Sequence, residues 1–100
     1  MFHIGVDISK ETIDCAYRTS EMDRTKYLNQ FKNNQAGFDD LMNCLNELNQ
    51  NHEDQIAIIE PTGGYESRLV HHLLAHGWQV SLPNPKFIKD FASSQGRRNK

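Results

Sequence analysis

Two carboxylates stand where chemistry can be done. Asp7 sits near the end of the alternation Phe2, Ile4, Val6, Ile8, on the opposite face, and Glu60 follows directly on the apolar run Ile56-Ala57-Ile58-Ile59. Each is an acid at the C-terminal end of a predicted strand. If those strands are neighbours the side chains converge, and two uncompensated carboxylates repel strongly enough to shift a pKa or recruit a cation. Hard oxygen donors favour Mg²⁺ or Mn²⁺, and two such ions about 3.5 to 4 Å apart activate a nucleophile and stabilise a leaving oxygen in phosphodiester chemistry. A plainer reading is that acids collect at strand ends because solvent is there.

Other residues cluster around the same place. Pro61-Thr62-Gly63-Gly64 breaks the strand before a helix, and glycine backbone at a helix N-terminus can cradle phosphate. The Walker ending Gly-Lys-Ser/Thr is missing, so a strand-to-helix turn is the simpler account, with Thr62, Gly63 and Tyr65 lining the mouth beside Glu60. Asp14, Glu11 and Glu66 are the nearby acids, expected to be solvated or paired with Lys10 or Arg68. His72 and His76 lie four apart on one helical face, yet without an HExxH pattern they read as solvated imidazoles near a helix C-terminus rather than metal ligands.

The elements that must position these residues follow from periodicity. Period-two alternation predicts strands over residues 2–8, 12–17 and 26–32, the first two forming a hairpin about Ser9-Lys10-Glu11, with Tyr27 and Phe31 at strand spacing in the third. Asn33-Asn34 offers a helix N-cap, and Phe38, Leu41, Met42, Leu45 and Leu48 repeat at helical spacing. A fourth strand spans residues 56–59 and suits cover on both faces. A helix from about Tyr65 turns Leu69, Leu73 and Leu74 inward and is capped by Gly77. A strand over 78–82 ends at Pro83 and Pro85, and Phe87, Ile88, Phe91 and Ala92 mark a last amphipathic helix. The order β-β-β-α-β-α-β-α is that of an α/β fold with a mixed sheet, its later strands joined by right-handed crossovers.

Composition sets the outer limits. One hundred residues, 37% of them hydrophobic, are expected to make one small domain, by themselves too few for a large multi-domain enzyme. The net charge of −2 is no global footprint of a nucleic-acid binder, but it is unevenly spread. Residues 1–84 carry 6 basic and 12 acidic side chains, whereas residues 85–100 carry Lys86, Lys89, Arg97, Arg98 and Lys100 against Asp90 alone. Those five bases are the candidates for contact with a nucleic-acid backbone. Cys15 and Cys44 show no metal or disulfide pattern and suggest free thiols in a reducing cytoplasm. Without a signal peptide or a spanning segment of about 20 apolar residues, a soluble cytoplasmic protein is expected.

Three blocks together resemble a known family. Ile4-Gly5-Val6-Asp7-Ile8-Ser9-Lys10, then Ile59-Glu60-Pro61-Thr62-Gly63-Gly64-Tyr65, then Asn84-Pro85 leading to Gly96-Arg97-Arg98-Asn99-Lys100, are similar in order and spacing to the N-terminal domain of the DEDD transposases. That family comprises the Piv-type DNA invertases and related insertion-sequence transposases, some guided by a bridge RNA. The resemblance covers essentially the whole chain. It implies a ribonuclease-H-like, RuvC-like fold with four acids binding divalent metal, Mg²⁺ or Mn²⁺, of which Asp7 matches the first and Glu60 the second. It places the other two in a Thr-Asp-x-x-Asp segment after a basic stretch like residues 97–100, so residues 1–100 would be an incomplete catalytic domain. The rest of that domain, and a C-terminal domain supplying a serine nucleophile, would lie outside them. Such a piece is expected to hold metal weakly and to be inactive alone. DNA, a guide RNA in some members, and further copies of the chain are the partners implied.

Two other classes remain open on the residues themselves. Actin-like ATPases and sugar kinases share the core and an Ile-Gly-x-Asp strand, but their phosphate hairpin carries Gly and Thr where this chain has Ser9-Lys10-Glu11. A module that binds nucleic acid or mediates subunit contact without catalysis, with Phe87 and Phe91 at its interface, is the third reading.

Overall fold

Alternation in the first eighteen residues builds an antiparallel hairpin of β1 (Phe2–Ile8) and β2 (Thr12–Arg18). Its turn is closed by Ser9, whose amide donates to the Thr12 carbonyl at 2.9 Å while its hydroxyl accepts from the Thr12 amide at 3.1 Å. Strand β3 (Lys26–Lys32) pairs antiparallel with β2, helix α1 (Gln35–Leu48) crosses over, and β4 (Gln55–Ile59) pairs parallel with β1. Helix α2 (Ser67–Ala75) then returns the chain to β5 (Gln79–Ser81), parallel to β4. The computed structural model describes residues 1–83, so the helix expected about Phe87 and the bases Lys86, Lys89, Arg97, Arg98 and Lys100 lie outside the described residues.

The five strands form one mixed sheet in the order β3-β2-β1-β4-β5, with β1 at the centre. This is the α/β mixed sheet expected from the pattern of elements, and it is consistent with the ribonuclease-H-like fold that the family resemblance implies. One sheet face is dry. Phe2, Ile4, Val6 and Ile8 of β1, Ile13 and Cys15 of β2, and Ala57 and Ile59 of β4 share a core with Phe38, Leu41 and Leu45 of α1 and Leu69 and Leu73 of α2. Phe2 lies between Tyr17 and Trp78, at ring separations of 6.3 and 5.9 Å. The opposite face is more open: His3 and Gly5 are exposed, and Ile56 and Ile58 are half-buried, so β4 is fully covered on one face only among the described residues.

Three details depart from the periodic reading. Leu74 is 53% exposed because five residues advance a helix by about 500°, leaving it about 140° from Leu69 on the opposite flank. Helix α2 begins at Ser67, the preceding residues being held in a turn. Trp78 is buried but outside β5, because its amide donates to the Leu73 carbonyl at 3.0 Å while that of Gly77 reaches Leu74, the paired bonds of a Schellman cap.

Strand β3 holds the fourth departure. Its register with β2 shifts between Cys15 and Ala16, which pair with Asn29 and Tyr27 and leave Leu28 as the extra residue of a bulge. A bulge reverses the alternation beyond it. Phe31, opposite Ile13, is therefore in the core while Tyr27, opposite Ala16, is 64% exposed on the open face.

Candidate active site

Parallel pairing of β1 with β4 brings the two acids together. The last paired residues are Val6 and Ile59, so Asp7 and Glu60 are the next positions on two strands about 4.8 Å apart. Both are half-buried at the C-terminal end of the central strands. In open α/β sheets this is the end where ligands bind, since the loops that leave the strands there can shape a cleft.

Asp14 is the cross-strand partner of Asp7. Like charges directly opposite are unfavourable, and here the neighbouring side chains satisfy the second acid. The Tyr27 hydroxyl donates to Asp14 Oδ1 at 2.9 Å and Gln30 Nε2 donates to the same oxygen at 3.2 Å. The bulge in β3 is what turns Tyr27 toward Asp14, and the bond to that carboxylate raises the tyrosine pKa above its ordinary value. Asp14 is thus half-buried and held by Tyr27 and Gln30 rather than paired with Lys10.

The loop after Glu60 is organised from within. Glu66 Oε1 accepts from the Thr62 amide at 2.9 Å, from the Thr62 hydroxyl, and from the Gly64 amide at 3.2 Å. The Thr62 oxygen in turn accepts from the Tyr65 amide at 3.0 Å. Gly63 and Gly64 at φ 86° and 140° make the turn that presents these amides inward, a conformation L side chains rarely adopt. Bonds from the Thr62 hydroxyl and the backbone amides hold the Glu66 carboxyl down at about 2. Two amides that would cradle a phosphate are therefore engaged by the protein's own carboxylate, which favours the plain strand-to-helix turn. Of the expected lining residues, Thr62 spends its hydroxyl inside the loop, Gly63 shapes it, and Tyr65 is 50% exposed.

The two histidines lie elsewhere, His72 on α2 and His76 at its C-cap. His72 packs against Phe38 at 5.5 Å and stacks on His76 at 4.3 Å, and its Nε2 is buried. Burial, then the neighbouring His76, lowers the His72 pKa, and its contacts with Phe38 and His76 make it a packing residue. Among the described residues no three His, Cys, Asp or Glu side chains converge on one point. The donors at the strand ends are the oxygens of Asp7 and Glu60, a hard pair suited to a divalent ion that takes its remaining ligands from elsewhere.

Residues 4–100 match the DEDD family described as transposase. The chain belongs to the DEDD transposase family. Among curated relatives of this DEDD transposase chain, the pilin gene-inverting protein of Moraxella lacunata is 37% identical over 98 residues, and that of Moraxella bovis is 36% identical over 98 residues. Each alignment covers 98% of the chain and 30% of the relative, so the chain spans about a third of the length of these proteins. No described helix is long and apolar enough to cross a membrane.

Two features of the site carried no readable signal in one dimension. Asn33 and Asn34 are an N-cap pair in sequence, but only Asn34 caps α1, its Oδ1 accepting from the Gly37 amide at 2.9 Å. The role of Glu66 shows only once residues 62–64 fold back on it.

Proposed function

We propose that residues 1–100 form the front part of the catalytic domain of a DNA transposase or site-specific recombinase, which cuts and rejoins the DNA of a mobile element. Asp7 and Glu60 are two of its metal-binding carboxylates. The observation that carries this reading is the β1–β4 register, which sets an acid at the same level on each of two central strands. Membership of the family supports DNA as substrate, and the relatives' names speak of inverting a gene.

Asp7 and Glu60 would hold Mg²⁺ or Mn²⁺ through carboxylate oxygens, with further acids of the parent protein completing the site. A divalent ion in that position supplies Lewis acidity at a phosphodiester oxygen and lowers the pKa of an attacking hydroxyl. This chain's own residues do the holding. Strands β1 and β4 fix the two acids, Glu66 and Thr62 fix the loop beside them, and the exposed Tyr65 would line the mouth. Lys86, Lys89, Arg97, Arg98 and Lys100 would bind nucleic-acid phosphates, DNA or a guide RNA, in a salt-dependent manner. On this reading the stretch alone carries half the acids, binds metal weakly and does not cut DNA, and the complete protein works as an assembly of copies on DNA.

In the full-length protein, Asp7→Ala and Glu60→Ala are expected to abolish recombination while leaving circular dichroism and the unfolding midpoint near those of the parent. Undiminished recombination in both variants would remove the assignment.

A further inference from the structure

Glu60 is followed at once by a loop and Asp7, after Ile8, by the turn of the β1–β2 hairpin, and one side chain ties the two together. Asn33, between β3 and α1, donates from Nδ2 to the Ser9 carbonyl at 3.0 Å and to the Tyr65 carbonyl at 3.1 Å, with the Lys10 carbonyl at 3.5 Å. Ser9 lies two residues beyond Asp7, and Tyr65 five residues beyond Glu60. All these partners are carbonyl oxygens, so only the amide nitrogen can face them, which fixes the orientation of the side chain.

The platform carrying Asn33 is itself braced. Lys32 is paired with Thr12 in the sheet, the Asn33 amide donates to the Glu11 carbonyl at 2.9 Å, and the next residue caps α1. Asn33 is therefore a fixed post joining three segments that the chain otherwise connects only through long excursions. Pairing between β1 and β4 ends at Val6 and Ile59 while β1 stays paired with β2 to Ile8, so past that level nothing in the sheet sets Glu60 relative to Asp7, and their spacing depends on what holds the loop after Glu60.

We propose that Asn33 is a positioning residue for the carboxylate pair, acting by clamping the turn after Asp7 to the loop after Glu60. The proposal rests on the metal reading above and touches neither metal nor substrate. Its chemistry is specific: a planar NH₂ group has two hydrogens for two carbonyls. Alanine removes both bonds, and aspartate would set a carboxylate against the same oxygens.

The test compares Asn33→Ala with Asn34→Ala in the full-length protein. Both should lower Tm, the second by loss of a helix cap that does not touch the clamp. Hydrogen exchange in peptides covering residues 8–12 and 61–66 should rise about five- to tenfold in Asn33→Ala only, as expected when the hydrogen bonds that tie these loops are lost. Mn²⁺ titration should show binding weakened several-fold in Asn33→Ala and unchanged in Asn34→Ala. Equal exchange of residues 61–66 in the two variants would overturn the clamp. Faster exchange with Mn²⁺ binding unchanged, while Asp7→Ala abolishes that binding, would overturn the positioning role and leave the metal site standing. Undiminished Mn²⁺ binding in both Asp7→Ala and Glu60→Ala would remove the metal reading, and the positioning role with it.

Discussion

Gly37→Ala separates what local propensity predicts from what packing predicts, because the two have opposite signs. Gly37 is buried in the first turn of α1, where the helix meets the end of β3. A methyl group there would collide with the backbone nitrogen, carbon and carbonyl oxygen of Lys32. That backbone cannot easily retreat, since Lys32 is paired with Thr12 and Asn33 is bonded to Glu11. Helix propensity favours alanine over glycine by about 1 kcal/mol at most, and less in a first turn. Forcing a methyl into a packed interior typically costs about 1–3 kcal/mol, and an obstacle made of paired backbone belongs at the upper end. The balance is a loss of about 2 kcal/mol. With a urea slope of about 1–3 kcal/mol/M, the unfolding midpoint should fall by about 1 M, read by circular dichroism with an unaltered slope. A midpoint equal to or above that of the parent would refute the reasoning and show that β3 and α1 separate freely.

Acid should loosen the loop at residues 62–66 before it unfolds the sheet. Glu66 has a folded pKa of about 2 against an ordinary 4.5, so its contribution is complete above pH 4.5 and lost as the pH falls through 2. Exchange of the Thr62 and Gly64 amides should quicken over that window, and Glu66→Gln should abolish the dependence. His72 titrates in the other familiar range: its folded pKa lies below 6.5, so its contribution is complete above pH 6.5 and declines below it as the unfolded chain takes up the proton. Tm should drop from pH 7 to pH 5.5, and His72→Gln should flatten that limb. Burial, with Cys44 adding to it, pushes the Cys15 thiol up to about 12. An aromatic disulfide reagent should therefore modify half-buried Cys44 in the native protein and Cys15 only at the rate of unfolding; equal native rates would contradict the core assignment.

The parts of the fold that could be read in advance are those governed by one period. The alternation of Phe2, Ile4, Val6 and Ile8 sets which face of β1 is dry, and the run 56–59 marks its parallel neighbour, so the placing of Asp7 and Glu60 at one level on adjacent strands was legible from the sequence. What escaped depends on a break in period or on a bond between distant segments. Nothing in Lys26-Tyr27-Leu28-Asn29 announces that Leu28 is inserted, yet that one residue moves Tyr27 from the core side to Asp14. Asn33 likewise has no hydrophobic pattern to betray it, and its bond to the Tyr65 carbonyl spans 32 residues. Periodicity reports burial, and burial is shared by many side chains along an element. The geometry of a polar site depends instead on single donors meeting single acceptors, and composition does not record which acceptor that is. The acids were therefore visible from their strands, while Asn33, Glu66 and Tyr27 were visible only once the loops and the bulge had been placed in space.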